Sequence, residues 1–313
     1  MKVLFTYDYG EEKMKSISDL GYEIIYIHES QISNCEEIED IEVLVCYNPF
    51  NNLDITKLKN LKWIQLSSIG IDQAPLKYIK EKGIHLSNNK GGYSIPMGEW
   101  IVLKILEIYK NSKYFYRKQD IKEWKLSTDV FELYGKNVGF LGTGTIAKEA
   151  AKRLQGFGVN IYGLNTRGNM VEYFDRCFAI EDINKLLEIS DIVVCTIPYT
   201  NSTHNLLNEE KMDRMKKGSV LINVSRGNII NEEDLVKKLR ENKYLGVALD
   251  VFDNEPLPKN SQLWSFDNIY ITPHNSWVSE MRNERRFENI YENMRRYISG
   301  EALINLVNIN RGY

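Results

Sequence analysis

The chain has 313 residues, 43% of them hydrophobic and 27% charged, with a formal net charge of -3. That length favours two domains over one, and the hydrophobic fraction can fill two cores. The near-neutral balance gives no general attraction to nucleic acid or to an anionic membrane, and no apolar stretch approaches the roughly 18 residues of a membrane span. The apolar run in MKVLFTYDYGEEK is too short for a signal peptide and has no small-residue cleavage site, so a soluble, cytoplasmic protein is expected.

Over the first ninety residues the strand-like runs KVLFTYD, YEIIYI, EVLVCY, KWIQLSS and GIHLSN alternate with short polar or helical connections. This rhythm predicts a parallel sheet. At Ile95 the pattern changes, because Pro96 can open a helix and MGEWIVLKILEIYK carries apolar residues at helical spacing. That helix is taken as a domain boundary. The stretch after it, NSKYFYRKQDIKEWKLSTDVFELYG, is dense in aromatics and charges but lacks strand alternation. Tyr114, Phe115, Tyr116 and Trp124 either pack on their own domain or are buried on a second subunit, since exposed aromatics in such number are a liability for a monomer.

From Lys136 the alternation restarts: NVGFLG, a helix through AKEAAKRL, then VNIYGLN, DIVVCTI, SVLINVS, LGVALDV and NIYITP. A second doubly wound unit of six strands is predicted. WVSEMRNERRFENIYENMRRYISG reads as a long helix whose interleaved charges, such as Glu292 and Arg296 one turn apart, suit a solvated face. Cys35, Cys46, Cys177 and Cys195 form no C-x-x-C pair, and two of them lie inside strand-like runs, so buried free thiols are expected. His28, His85 and His204 have no carboxylates at metal spacing and read as surface or locally bonded residues; no metal is expected.

Two groups of residues carry chemistry. The turn Gly142, Thr143, Gly144 follows the strand NVGFL and precedes a helix, which lets backbone N–H groups approach a pyrophosphate at the helix N-terminus. Ala147 fills the third fingerprint position, where close helix packing is the requirement. At the end of the next strand an NAD-binding site usually offers Asp or Glu to the ribose diol, whereas this chain has Asn165, Thr166 and Arg167. Amide, hydroxyl and guanidinium groups suit a 2′-phosphate, so NADP(H) is expected in preference to NAD(H). Downstream, Arg226, Glu255 and His274 lie in SRGNI, DVFDNEP and TPHNS. Reducing a 2-keto acid needs a cation for the carboxylate and an acid for the carbonyl oxygen. Arginine's planar fork and a carboxylate-paired histidine supply those two functions.

The segments SSIGIDQAP (67–75), GTGTIA (142–147), TIPYTNSTHNL (196–206), INVSRG (222–227), ALDVFDNEP (248–256) and TPHNSW (272–277) together resemble the D-isomer-specific 2-hydroxyacid dehydrogenases, which include D-lactate, glycerate and phosphoglycerate dehydrogenases. The resemblance implies an α/β chain of two doubly wound parallel-sheet domains, Rossmann-like and flavodoxin-like, with an active-site cleft between them. Residues 1–93 and 284–313 would bind substrate, and residues 94–283 the dinucleotide. It implies NAD(P)-dependent reduction of a small 2-keto acid to the D-2-hydroxy acid, with Arg226 binding substrate, His274 the acid-base and Glu255 its partner. By the same resemblance Ser68, Ile69 and Gly70 donate to the substrate carboxylate. Thr145 and Ile146 touch the pyrophosphate, Ile197, Pro198 and Thr203 line the adenosine side, and Val224, Ser225 and Asp250 approach the nicotinamide. Tyr93 and Trp277 either shape the substrate pocket or pack in a core. A homodimer through the helix after Pro96 and residues 109–131 is implied. Glu255 argues against the formate dehydrogenases, which carry glutamine there; a cofactor-sensing corepressor and phosphite oxidation stay open as alternatives. Glyoxylate, hydroxypyruvate, pyruvate and branched 2-keto acids are all candidate substrates.

Overall fold

A computed structural model of the chain describes residues 1–32 and 38–311. Cys35 lies outside them. The chain divides into two compact units, Met1–Tyr93 with Ser279–Tyr313, and Ser94–Val278.

The first unit begins with β1 (Lys2–Phe5), α1 (Glu11–Asp19), β2 (Glu23–Tyr26), β3 (Val43–Cys46), β4 (Trp63–Leu66), α2 (Leu76–Lys82) and β5 (His85–Ser87). Its five strands are all parallel in the order β2-β1-β3-β4-β5. The inner strands VLVC and WIQL are buried along their whole length, as expected where both faces of a parallel sheet are covered. Successive side chains go to opposite faces, so Leu4, Leu44 and Ile64 join one core while Val3, Phe5, Val45 and Trp63 join another.

The second unit contains α3 (Ser94–Tyr109), α4 (Ser112–Asp120), β6 (Asn137–Leu141), α5 (Thr145–Leu154), β7 (Asn160–Asn165), β8 (Arg176–Ala179), α6 (Ile183–Ile189), β9 (Ile192–Cys195), α7 (Glu209–Arg214), β10 (Ser219–Asn223), α8 (Glu232–Arg240), β11 (Tyr244–Leu249) and β12 (Ile269–Ile271). Seven parallel strands run in the order β12-β11-β10-β9-β6-β7-β8. The six strands read from the sequence are present, and β8 is a seventh. Its four residues, RCFA, form an edge strand with a single fully buried side chain, too short to give an alternation signal. The aromatic stretch also holds a helix that periodicity does not reveal: α4 has no buried residue, so no apolar stripe marks it. Gly98 lets α3 approach α5, since a Cβ there would lie 3.0 Å from the Glu149–Ala150 backbone.

The last helix, α9 (Arg282–Ile298), belongs to the first unit. It starts five residues after Trp277, and it is only half solvated. Phe287, Ile290 and Met294 form a stripe in the core with Val3, Phe5 and Trp63, while Arg295 and Arg296 pair with Glu292 on the outer face. A buried polar chain fixes the register of the helix: Trp63 Nε1 donates to Ser87 Oγ (2.8 Å), Ser87 Oγ to Gln65 Oε1 (2.7 Å), and Asn293 Nδ2 to the same oxygen (2.7 Å).

Among the described residues no helix is long and apolar enough to cross a membrane.

Candidate active site

In the second unit the chain leaves β6 in one direction for β7 and in the other for β9, so the crevice beyond these strand ends is the topological switch point. Gly142 takes φ +100°, and a Cβ there would lie 3.1 Å from Ile197 N and 3.1 Å from Thr196 C. Only glycine allows that turn and that approach. Gly163 on β7 similarly makes room for Thr143, whose Cγ2 would be 2.4 Å from an added Cβ. Gly144 precedes the first residue of α5, and a Cβ there would meet nothing within 4 Å. The backbone N–H groups of Thr145, Ile146 and Ala147 have no acceptor among the described residues, and the helix hydrogen bonding begins with Lys148 N to Gly144 O (2.9 Å). Unpaired donors, a helix dipole and open space above them fit a pyrophosphate.

Around this turn Ile197 is buried and Pro198 exposed, and Thr203 Oγ1 donates to the Pro198 carbonyl (2.9 Å), closing the loop after β9. At the end of β7 the Asn165 side chain organises its own loop. Its Oδ1 accepts from Arg167 N (3.2 Å) and Asn169 N (3.1 Å), and its Nδ2 donates to Asn169 O (2.9 Å). Thr166 and Arg167 are exposed at the tip.

Arg226 stands in a turn after β10 that Asn223 builds. The buried Asn223 Oδ1 accepts from Ser225 N (3.0 Å) and Ser225 Oγ (2.8 Å), while Nδ2 donates to Arg226 O (2.9 Å). Arg226 Nη1 donates to Ser225 O (2.8 Å), and Val224 is buried at the strand end. Gly227 brings this turn against the loop after β11; an added Cβ would sit 1.9 Å from Phe252 C. That loop carries Glu255, whose Oε2 meets His274 Nδ1 at 2.7 Å and whose Oε1 accepts from Phe252 N (3.0 Å). Burial pushes the Glu255 carboxyl up, but the His274 hydrogen bond, the Phe252 N–H and the charges of His274 and Arg226 together hold it below the usual carboxylate range.

His274 has φ +51°, a left-handed conformation that a non-glycine residue holds only where its surroundings enforce it. Asp250 provides much of that enforcement. It is fully buried, its carbonyl accepts from His274 N (2.8 Å), and its carboxylate accepts from Thr272 Oγ1 (2.5 Å), Asn275 N (3.0 Å) and Ser276 N (3.0 Å). Trp277 Nε1 donates to the His274 carbonyl (2.8 Å). The sequence reading overlooked Asn223 and gave Asp250 only a cofactor contact. An Asn at a strand end just before Ser-Arg-Gly is a recognisable turn signal, whereas Asp250's grip on the 272–276 turn depends on strand register.

In the first unit, Ser68, Ile69 and Gly70 form the turn after β4, and Tyr93 is buried with its hydroxyl on the Ser67 carbonyl. His28 and His204 bond to Ser30 and Tyr199, and His85 is exposed. Cys46 and Cys195 are buried in strands, and burial pushes the Cys195 thiol up to about 12; Cys177 on β8 is half-buried. Among the described residues no group of three or more His, Cys, Asp or Glu is placed to hold a metal.

A seven-stranded doubly wound sheet whose glycine turn opens on a bare helix N-terminus defines a dinucleotide-binding unit. Comparison with known proteins gives the family. Residues 102–276 match the profile of the D-isomer specific 2-hydroxyacid dehydrogenase, NAD binding domain. A glyoxylate reductase of Thermofilum pendens is 34% identical over 80% of this chain and 75% of its own length. A D-3-phosphoglycerate dehydrogenase of Methanocaldococcus jannaschii is 29% identical over 99% of this chain, which spans 60% of that relative. The crystal structure of a D-isomer specific 2-hydroxyacid dehydrogenase from Xanthobacter autotrophicus Py2, in complex with NADPH and MES, superposes with a TM-score of 0.86 at 26% identity, covering 100% of this chain and 99% of that one. The chain belongs to the D-isomer specific 2-hydroxyacid dehydrogenase family.

Proposed function

We propose that the protein reduces a small 2-keto acid to the D-2-hydroxy acid with a nicotinamide cofactor. The observation that carries this reading is the 2.7 Å contact between His274 Nδ1 and Glu255 Oε2, made in a loop that Gly227 ties to the Arg226 turn. When bound, a reduced nicotinamide would supply the hydride for C2. Because Glu255 accepts at Nδ1, Nε2 is the imidazole atom that delivers a proton to the ketone oxygen, leaving His274 neutral until solvent reprotonates it. Glu255 is held in one orientation by Phe252 N and in turn orients the His274 ring. Arg226 binds the substrate carboxylate and polarises the carbonyl. In the first unit, the Ser68–Gly70 turn offers backbone donors suited to a carboxylate. Trp277 borders the substrate.

Gly142, Thr143, Gly144, Thr145 and Ile146 would hold the pyrophosphate, Ile197, Pro198 and Thr203 the adenosine side, and Val224, Ser225 and Asp250 the nicotinamide end. The exposed Thr166 and Arg167, with no carboxylate beside them at the end of β7, support a preference for NADPH. A homodimer through α3 and the segment after it is supported by Tyr116, Ile121, Trp124 and Leu126, all exposed on one short stretch. A surface cavity of about 300 Å³ near Lys113, Trp264 and Tyr270 offers them a counterpart.

The test is spectrophotometric: oxidation of NADPH and NADH is followed against glyoxylate, hydroxypyruvate, pyruvate and branched 2-keto acids. Turnover of at least one, lost in His274→Ala, is expected. No turnover with any of them, or full turnover by His274→Ala, rejects the reading.

A further inference from the structure

A buried cation in the first unit has no place in the scheme above. Arg286, on α9, is 7% exposed; its guanidinium hydrogen-bonds the Tyr93 hydroxyl, and no carboxylate pairs with it among the described residues. Its Nε donates to Tyr93 Oη (2.6 Å), its guanidinium lies 5.6 Å from the Tyr93 ring and 5.7 Å from the Tyr7 ring, and its backbone carbonyl accepts from Asn89 Nδ2 (2.9 Å). Burying a guanidinium away from any carboxylate costs several kcal/mol that its hydrogen bond and ring contacts must offset, and its field acts along the hydrogen bond it donates.

That direction is the turn after β4. Tyr93 Oη accepts from Arg286 and donates its own hydrogen bond to the Ser67 carbonyl. The neighbouring carbonyls are also taken: Ser68 O by Asn89 N, Ile69 O by Asn88 Nδ2 and Gly70 O by Ser68 Oγ, each at 2.8 Å. The backbone N–H groups of Ser68, Ile69 and Gly70, by contrast, have no acceptor among the described residues. A turn with every carbonyl bonded and three consecutive N–H groups without an acceptor is built to receive an anion. A charge-assisted chain ending on the first of those carbonyls polarises the peptide whose N–H belongs to Ser68.

We propose that Arg286, acting through the Tyr93 hydroxyl, is a positioning residue that sets the carboxylate affinity of the Ser68–Gly70 turn. The inference rests on the reading that this turn receives the substrate carboxylate. It assigns work to a residue that touches neither substrate nor cofactor.

Binding of oxalate, an unreactive analogue of a 2-keto acid, is measured calorimetrically on the full chain in excess NADP+ or NAD+. Wild type is compared with Tyr93→Phe, Arg286→Gln and Arg286→Lys, each checked by thermal melting. Tyr93→Phe and Arg286→Gln are expected to weaken oxalate about tenfold. Arg286→Lys, which keeps a charged donor, should lie closer to wild type. In turnover the same variants should raise KM for the keto acid by a similar factor and change kcat less than about threefold, with cofactor affinity unaltered. If Arg286→Gln does not fold, Tyr93→Phe carries the comparison alone, because it removes one oxygen. Unchanged oxalate affinity in Tyr93→Phe, or no oxalate binding by wild type, overturns the proposal. Absence of turnover alongside the expected oxalate pattern counts against the reaction and supports the cradle.

Discussion

Replacing Gly227 with alanine tests whether the Arg226 turn and the Glu255 loop act as one unit. The added methyl would lie 1.9 Å from Phe252 C and 2.3 Å from both Asp253 N and Phe252 O, all backbone atoms that no rotamer change can move. Restoring ordinary contact requires the two segments to part by roughly 1.5 Å. Arg226 immediately precedes the substituted residue, and Phe252 N is the group that orients Glu255, so that displacement reaches both sides of the site. A misplacement near 1 Å costs on the order of 10²-fold in rate, and overpacking of this kind about 1–3 kcal/mol of stability. The assay is kcat/KM for the best 2-keto acid together with a thermal melt and a cofactor titration. A loss of about 10²-fold with near-normal cofactor binding is expected. Gly156→Ala is the control, since its Cβ would meet nothing within 4 Å. Gly227→Ala within threefold of wild type would refute the coupling.

His274→Ala should lower kcat/KM by about 10² to 10⁴ while leaving cofactor affinity intact; an equal loss of cofactor binding would point to a structural role instead. Glu255 has a carboxyl held below its ordinary value, so its stabilising contribution is present above the unfolded pKa near 4.3 and is lost as pH falls through the lower folded value. The melting-temperature gap between wild type and Glu255→Gln should therefore narrow as pH falls below about 4.3, and a gap that stays open on further acidification contradicts the sign. Arg167→Ala should reduce the ratio of NADPH to NADH efficiency by about tenfold or more, and an unchanged ratio places the phosphate elsewhere. Trp124→Glu should shift the light-scattering mass from dimer to monomer; a wild-type monomer removes the proposed interface.

Much of the fold was legible because parallel strands buried on both faces read as unbroken apolar runs, as in VLVC, IVVC and SVLIN. The helix α4 and the strand β8 were not, since one buries nothing and the other is four residues at a sheet edge. The glycine turn and the Arg, Glu and His segments stood out by composition and order. What held them in place stood out less: Asn223 is a local turn signal that was passed over, and Asp250 grips the turn at 272–276 through contacts that depend on strand register. Arg286 was hidden among interleaved charges, because a helix pattern of acids and bases gives no sign that one cation faces inward.

The place of α9 has a consequence for synthesis. A ribosome that has just completed β5 has made the whole five-stranded sheet, but the helix that carries Phe287, Ile290 and Met294 is still to come. At about 5–20 residues per second the intervening stretch of roughly 190 residues takes on the order of 10–40 s. For that interval one face of the sheet, with Val3, Phe5, Val45 and Trp63 on it, lacks the Phe287, Ile290 and Met294 that complete its core. The second unit, contiguous in sequence, has no such wait. The core of the first unit is thus completed only after the whole second unit has been synthesised.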